Sequence, residues 1–345
     1  MSTHQSVPTL DLEPWWEGTA TERESVAAQL DNAATSVGFM QLSGHRIPPP
    51  TIDAMVTASA TFFDLSMQQK LAARPVDLAT NRGYAPPFSE GLAYSLGEES
   101  IPDSFEAFNI GEDDVDVSDP FFAAEKHRFF APNVWPDSPA DLRRALVEYF
   151  AEARRVAMTL TDVFALALGL GDGWFRPYVD RSTTTMRIIN YERVAENPTE
   201  TTGLGMGAHT DYGVVTVLWS DGHPGLEVLG SDGTWWQACA DPGNLLVNLG
   251  DMTAEWTNDR WKSTLHRVLP PSAVGVDRRQ STAFFFDANW DARIECLPTC
   301  VSADNPPRYP AVLAGEHLLA KLMGPRELRA SAATNTAVER ITDTN

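Results

Sequence analysis

His209 and Asp211 stand two apart, and His266 follows fifty-five positions after Asp211. Two neutral imidazoles and one carboxylate are the donors that a divalent iron takes on one face, leaving the opposite face open for oxygen and a substrate. On a β-strand, residues i and i+2 point the same way, so the side chains of His209 and Asp211 can reach one point. His266 sits in Thr264-Leu265-His266-Arg267-Val268, which also reads as a strand and can bring a third ligand from a neighbour. The competing account is a His–Asp hydrogen bond on a sheet surface, with His266 an ordinary core histidine. The other histidines, His4, His45, His127, His223 and His317, fall in tails, loops or helices, and none is followed two residues on by an acid.

Arg279 and Ser281 are again two apart. A guanidinium fork offers bidentate geometry to a carboxylate, and the hydroxyl adds another bond. The run continues into Phe284-Phe285-Phe286, so Arg279 leads into a buried segment, where a cation needs an anion. Tyr191, on an earlier predicted strand, can offer a hydroxyl to the same anion or can simply be a half-buried amphipathic tyrosine. Arg187 shares a period-two face with Ile189 and Tyr191. It either reaches inward to grip an acidic substrate or makes an outward salt bridge.

These residues need a scaffold. From Thr183 onward, short β-branched and aromatic runs recur between turns: Met186–Tyr191, Val214–Trp219, Leu226–Leu229, Trp235–Ala240, Leu245–Asn248, Thr264–Leu269, Thr282–Asp287 and Arg293–Leu297. Eight such strands fit an antiparallel double-stranded β-helix, the jelly-roll type. The first third reads mainly as helix, with one over Thr21 to Val37 (Thr21 and Glu24 as its capping box) and another over Pro50 to Leu65. Phe39 to Leu42 between them reads as a short strand, and residues 80 to 120 as loops with short strands. A long helix starts at Ser138 or Asp141 and runs to Leu168, with Leu142, Leu146, Phe150, Val156, Leu160 and Phe164 as its buried stripe. The fold class is therefore α+β with a mainly β core. Its regions are a helical and loop N-terminal part over 1–120, the supporting helix within 121–182, the jelly-roll core over 183–300, a C-terminal loop and helix over 301–330, and a disordered tail over 331–345.

Composition bounds the function. A net charge of −21 and a pI near 4.6 argue against nucleic acid and anionic membrane surfaces as partners. The acidic run Glu112-Asp113-Asp114-Val115-Asp116 reads as an exposed loop. Three cysteines, Cys239, Cys296 and Cys300, lack metal-type pairing and suit a reducing cytoplasm. The N-terminus carries no export-signal pattern, and the most apolar stretch, Val156 to Leu170, is too short for a bilayer.

In chain order stand His209-Thr210-Asp211-Tyr212-Gly213, Gly225-Leu226-Glu227-Val228, Val247-Asn248-Leu249-Gly250-Asp251-Met252, Ser263 to Val268, and Arg279-Gln280-Ser281. This ordered set resembles the isopenicillin N synthase-like branch of the Fe(II)/2-oxoglutarate-dependent dioxygenases. Val7 to Leu12, Val37 to Met40 and Arg82-Gly83-Tyr84 resemble that family's N-terminal region, so the likeness spans about residues 5 to 325. The resemblance implies iron on His209, Asp211 and His266. It implies the far carboxylate of 2-oxoglutarate on Arg279 and Ser281, with Tyr191 nearby, and oxygen as co-reactant. No catalytic side chain is needed beyond the metal ligands. Asn248 and Asp251 belong to a family motif read as a structural turn. Three positions depart from common family patterns: Glu192 where many relatives have Pro, Ile189 where some plant members have Asn, and Glu227 for a common Gln.

The implied reaction oxidises a C–H bond of a small molecule by hydroxylation, desaturation or cyclisation, releasing succinate and CO2. Candidate substrate contacts are Arg187, Phe286, Phe88 and Phe108, with Tyr94, Phe105 and Leu319 as further wall residues. The expected state is a monomer or weak homo-oligomer. Alternatives are a same-fold iron oxidase or oxygenase without 2-oxoglutarate, a non-catalytic jelly-roll binding protein, and a zinc hydrolase, since the triad also suits zinc.

Overall fold

Two antiparallel sheets face each other across a cavity, with helices packed outside the larger one. The structure, a computed structural model, describes residues 7–77, 80–91, 102–192, 205–271 and 275–327; Tyr94 and the tail 331–345 lie outside them. The strands from the first third are β1 (Thr9–Asp11), β2 (Phe39–Ser43), β3 (Gly83–Ala85) and β4 (Glu106–Gly111). Those that follow are β5 (Thr185–Glu192), β6 (Met206–His209), β7 (Val215–Ser220), β8 (Leu226–Leu229), β9 (Trp235–Gln237), β10 (Leu245–Leu249), β11 (His266–Val268) and β12 (Arg278–Phe286). The larger sheet runs β1-β2-β10-β7-β12-β5-β4-β3, and the smaller β6-β11-β8-β9. Among the described pairings only β1 with β2 is parallel. The expected jelly roll is present, but its strands differ from those predicted: Met206–His209 joins the smaller sheet unforeseen, and the predicted run Arg293–Leu297 gives only Arg293–Ile294, paired with Val312–Leu313 in a separate two-stranded sheet.

β12 shows how the sheet divides its two jobs. Side chains alternate across a strand, so Arg279, Ser281, Ala283 and Phe285 line the cavity. Thr282, Phe284 and Phe286 are buried on the other face. There Phe284 meets Phe150 edge-on, with ring centroids 4.9 Å apart. Phe150 belongs to the helix Leu142–Ala167, and every member of its predicted apolar stripe is buried. Each such side chain is worth about 1.5–3 kcal/mol of transfer free energy, which holds the helix against β12 and stiffens the strand that carries Arg279.

The structure adjusts several expectations. The first helix is Ala20–Ser36, and its capping box is Thr19 with Glu22 rather than Thr21 with Glu24. The three-residue spacing is the same, two positions earlier. Four strands of the first third join the larger sheet. β4 is buried at every position, so it shows no alternation, and β1 and β3 span three residues each, too short for a period. The acidic run is not wholly solvated: Asp113 accepts from Arg143, Asn133 and Trp135. The three cysteines are free. No helix among the described residues is long and apolar enough to cross a membrane.

Candidate active site

His209 ends β6 and His266 begins β11, and the two are cross-strand partners with ring centroids 4.3 Å apart. Asp211 lies two residues past the end of β6. There its backbone carbonyl accepts from the Asp251 amide at 2.8 Å. A turn therefore brings this carboxylate in, not the continuous strand that the i, i+2 spacing suggests. Asp211 Oδ1 stands 3.8 Å from His209 Nε2 and 3.7 Å from His266 Nε2. These separations are too long for hydrogen bonds. They suit ligands sharing one ion, since bonds of about 2.0–2.2 Å permit donors up to about 4.4 Å apart. Among the described residues, this is the group of three whose donor atoms all lie within 4.8 Å of one another.

The other atoms of the three side chains are held by protein. His209 Nδ1 donates to the Gly207 carbonyl at 2.7 Å and His266 Nδ1 to the Thr264 carbonyl at 3.0 Å. Each Nε2 is thereby left as a lone pair. Burial first, then His266, pushes the His209 pKa down to about 4, so that imidazole is neutral at pH 7. Asp211 Oδ2 accepts from Thr216 Oγ1 and, at 2.7 Å, from Asn248 Nδ2. Only Oδ1 remains for another bond. Asn248, read from sequence as part of a structural turn, lies within β10 and aims the carboxylate. Removing such a supporting group typically costs 10–100-fold in metal affinity. Asn248→Ala should therefore weaken iron(II) binding by about 10–100-fold in a competition titration with a chelator; an unchanged affinity would leave Thr216 as the sole support.

Arg279 and Tyr191 are cross-strand partners on β12 and β5, and both are buried. The guanidinium lies 5.2 Å from the centre of the Tyr191 ring. Burial pushes the Tyr191 phenol up to about 12, so its hydroxyl stays protonated. Arg279 Nε makes a long bond, 3.4 Å, to the His223 carbonyl, while the buried Nη1 has no hydrogen-bond partner. A buried guanidinium with an unmet donor calls for an anion. Ser281, two residues on, lines the same cavity.

The other sequence candidates separate by strand face. Arg187 lines the cavity, but its charge is matched by Glu90 at 2.8 Å, and its Nε donates to Asn109 at 2.8 Å. Its salt bridge points inward, not outward. Leu319 reaches the cavity from the helix Ala314–Glu327. Phe286 and Phe108 do not line it. Both belong to the core on the far face of the large sheet, Phe108 against Phe62 and Trp135. Phe88 is half exposed, and Phe105 packs on Tyr191 behind the cavity wall. Phe285, not Phe286, faces inward. Strand parity counted from Arg279 would have found it. The sequence reading missed Asp287 and Thr216 as well; both line the cavity.

The donor set, the free Nε2 and Oδ1 atoms and the unmatched guanidinium fit a ferrous centre with a carboxylate-bearing cosubstrate. Known proteins agree. Residues 7–138 match the family described as the non-haem dioxygenase in morphine synthesis N-terminal, and residues 183–288 match the 2OG-Fe(II) oxygenase superfamily. The chain is 31% identical over 309 residues to a 2-oxoglutarate-Fe(II) type oxidoreductase of Emericella nidulans, covering 88% of this chain and 86% of the relative. It is 33% identical over 319 residues to validamycin A dioxygenase of Streptomyces hygroscopicus subsp. limoneus, covering 92% and 86%. A full-length Neurospora crassa protein, crystallised in complex with α-ketoglutarate (2-oxoglutarate) and thymine, superposes with a TM-score of 0.80 at 27% identity, covering 93% of this chain and 98% of that one. The chain belongs to the 2-oxoglutarate and Fe(II)-dependent oxygenase superfamily. It is an oxidoreductase whose chemistry requires iron(II), 2-oxoglutarate and oxygen.

Proposed function

We propose that His209, Asp211 and His266 hold the iron, and that Arg279 and Ser281 seat the far carboxylate of 2-oxoglutarate above the ring of Tyr191. The substrate is a small molecule in the rest of the cavity, between Phe285, Phe129 and the leucines of the C-terminal helix. The observation that carries this reading is the buried Arg279, whose Nη1 has no partner, in the same cavity as three converging metal donors. With iron and 2-oxoglutarate bound, the site supplies oxidation of a substrate C–H bond with release of succinate and CO2. The chain's own residues fix geometry. Asn248 and Thr216 hold one carboxylate oxygen so that the other faces the imidazoles. Two backbone carbonyls fix the imidazole tautomers, and the apolar wall keeps water away from the reacting carbon. No protein acid–base pair is needed.

The relatives point to small molecules as well: thymine for the Neurospora protein and validamycin A for the Streptomyces enzyme. Free thiols and a strongly acidic surface favour a cytoplasmic protein, a monomer or weak homo-oligomer, that engages neither nucleic acid nor membrane. The test is direct. Reconstituted with iron(II), the protein should consume 2-oxoglutarate and oxygen and form succinate in step with 2-oxoglutarate loss. Iron- and oxygen-dependent substrate oxidation without succinate would instead assign Arg279 to a carboxylate on the substrate itself.

A further inference from the structure

Asp287 follows directly on β12 and is buried, yet it lines the cavity. Its backbone is clamped. The Asp287 carbonyl accepts from Ser182 Oγ at 2.6 Å, and the next carbonyl, that of Ala288, accepts from the Thr183 amide and hydroxyl. Asn289 then locks the following turn through Arg181, Pro177 and Asp180. The carboxyl itself makes no hydrogen bond or ion pair with any described residue. A chain that fixes a polar side chain this firmly, and leaves its head unmatched in an apolar-walled cavity, is built as a binding site is built.

Gly213 makes room for that head. A Cβ at Gly213 would fall 1.6 Å from Asp287 Oδ1, and one at Gly250 would fall 2.2 Å from the Gly213 carbonyl. The turn after Asp211 is thus packed bare against the carboxyl, two residues from the proposed iron ligand. Arg187, the charged group that the sequence offers for substrate, is occupied by Glu90. Burial first, and then the charge of Asp211, push the Asp287 carboxyl well above the usual carboxylate range.

Resting on the function proposed above, we infer that Asp287 determines specificity by accepting a hydrogen bond from an N–H or O–H group of the substrate, close to the carbon that is oxidised. The reacting molecule is then a small polar compound with an apolar body against Phe285, Phe129 and Leu319, and a donor beside the oxidised position.

Three probes of one shape test this: cyclohexylamine, cyclohexanol and methoxycyclohexane, which carry an ammonium, a hydroxyl and no donor. Binding is read from the shift each causes in the visible band of the anaerobic iron(II)–2-oxoglutarate protein, and independently from thermal stabilisation of the metal-free protein. In the wild type, at least one donor-bearing probe should bind about 10-fold or more tightly than the ether, the usual gain from a hydrogen bond to an acid group. Preference for the amine would mean that the carboxyl ionises on binding; preference for the alcohol, that it stays neutral. In Asp287→Leu the preference should disappear, and the melting temperature without ligand should rise, because an unmatched buried polar group has been removed. Equal binding of all three probes by the wild type, or a preference that survives in Asp287→Leu, overturns the inference. A wild-type protein that shows no iron–2-oxoglutarate band overturns the function proposed above instead; the thermal measurements still decide the role of Asp287.

Discussion

His209→Ala protein should leave dialysis against iron(II) holding less than about a tenth of the metal retained by the wild type. Losing a group that merely orients a ligand typically costs 10–100-fold in affinity, and losing one of three ligands must cost more. The variant should still fold. The imidazole's bond to protein is the one from Nδ1 to the Gly207 carbonyl, worth about 1 kcal/mol net, and such a loss lowers the melting temperature of a domain of ordinary size by about 2–4 °C. Metal analysis and a melting curve on the same sample separate the two effects. Equal metal content in variant and wild type would mean that the His209, Asp211 and His266 cluster is only a buried polar network.

Arg279→Leu should separate cosubstrate from metal. Removing one member of a buried charge pair costs about 3–5 kcal/mol, which corresponds to a rise of roughly 10²–10⁴-fold in the dissociation constant for 2-oxoglutarate. Iron content should stay at the wild-type level, since Arg279 is not among the converging donors. Arg279→Lys should fall between, because an ammonium keeps the charge but not the planar fork. Anaerobic calorimetric titration with 2-oxoglutarate measures all three. A change below about 10-fold for the leucine variant would remove Arg279 as the seat of the carboxylate.

The contrast between these well-marked residues and the rest explains what the sequence reveals. His209, Asp211, His266, Arg279 and Ser281 are legible because chemistry restricts their types and because spacing of two survives even when, as at Asp211, the strand has already ended. Asn248 and Thr216 are not legible as ligand supports. Each lies in a run that reads as ordinary strand, and nothing in either run marks the carboxylate they share, which stands five residues before Thr216 and 37 before Asn248. Phe286 reads as a cavity residue because three consecutive phenylalanines conceal parity. Counting from Arg279 makes Phe285 the inward residue, and the core contacts of Phe284 and Phe286 agree. β1 and β3 are hidden because three residues cannot display a period. Their pairing depends on neighbours far along the chain: Leu42 for Leu10, and Phe108 for Tyr84.

One strand, β12, carries Arg279 at its start and leads into Asp287 just past its end. At about 3.3 Å per residue, some 20 Å of backbone separates Arg279 from Phe285. On the roles proposed above, fuel and target would be handled at opposite ends of a single strand, braced from behind by one long helix. Descendants of such a chain can exchange the molecule they oxidise through a few changes near one tip, while the machinery that burns 2-oxoglutarate at the other is inherited intact.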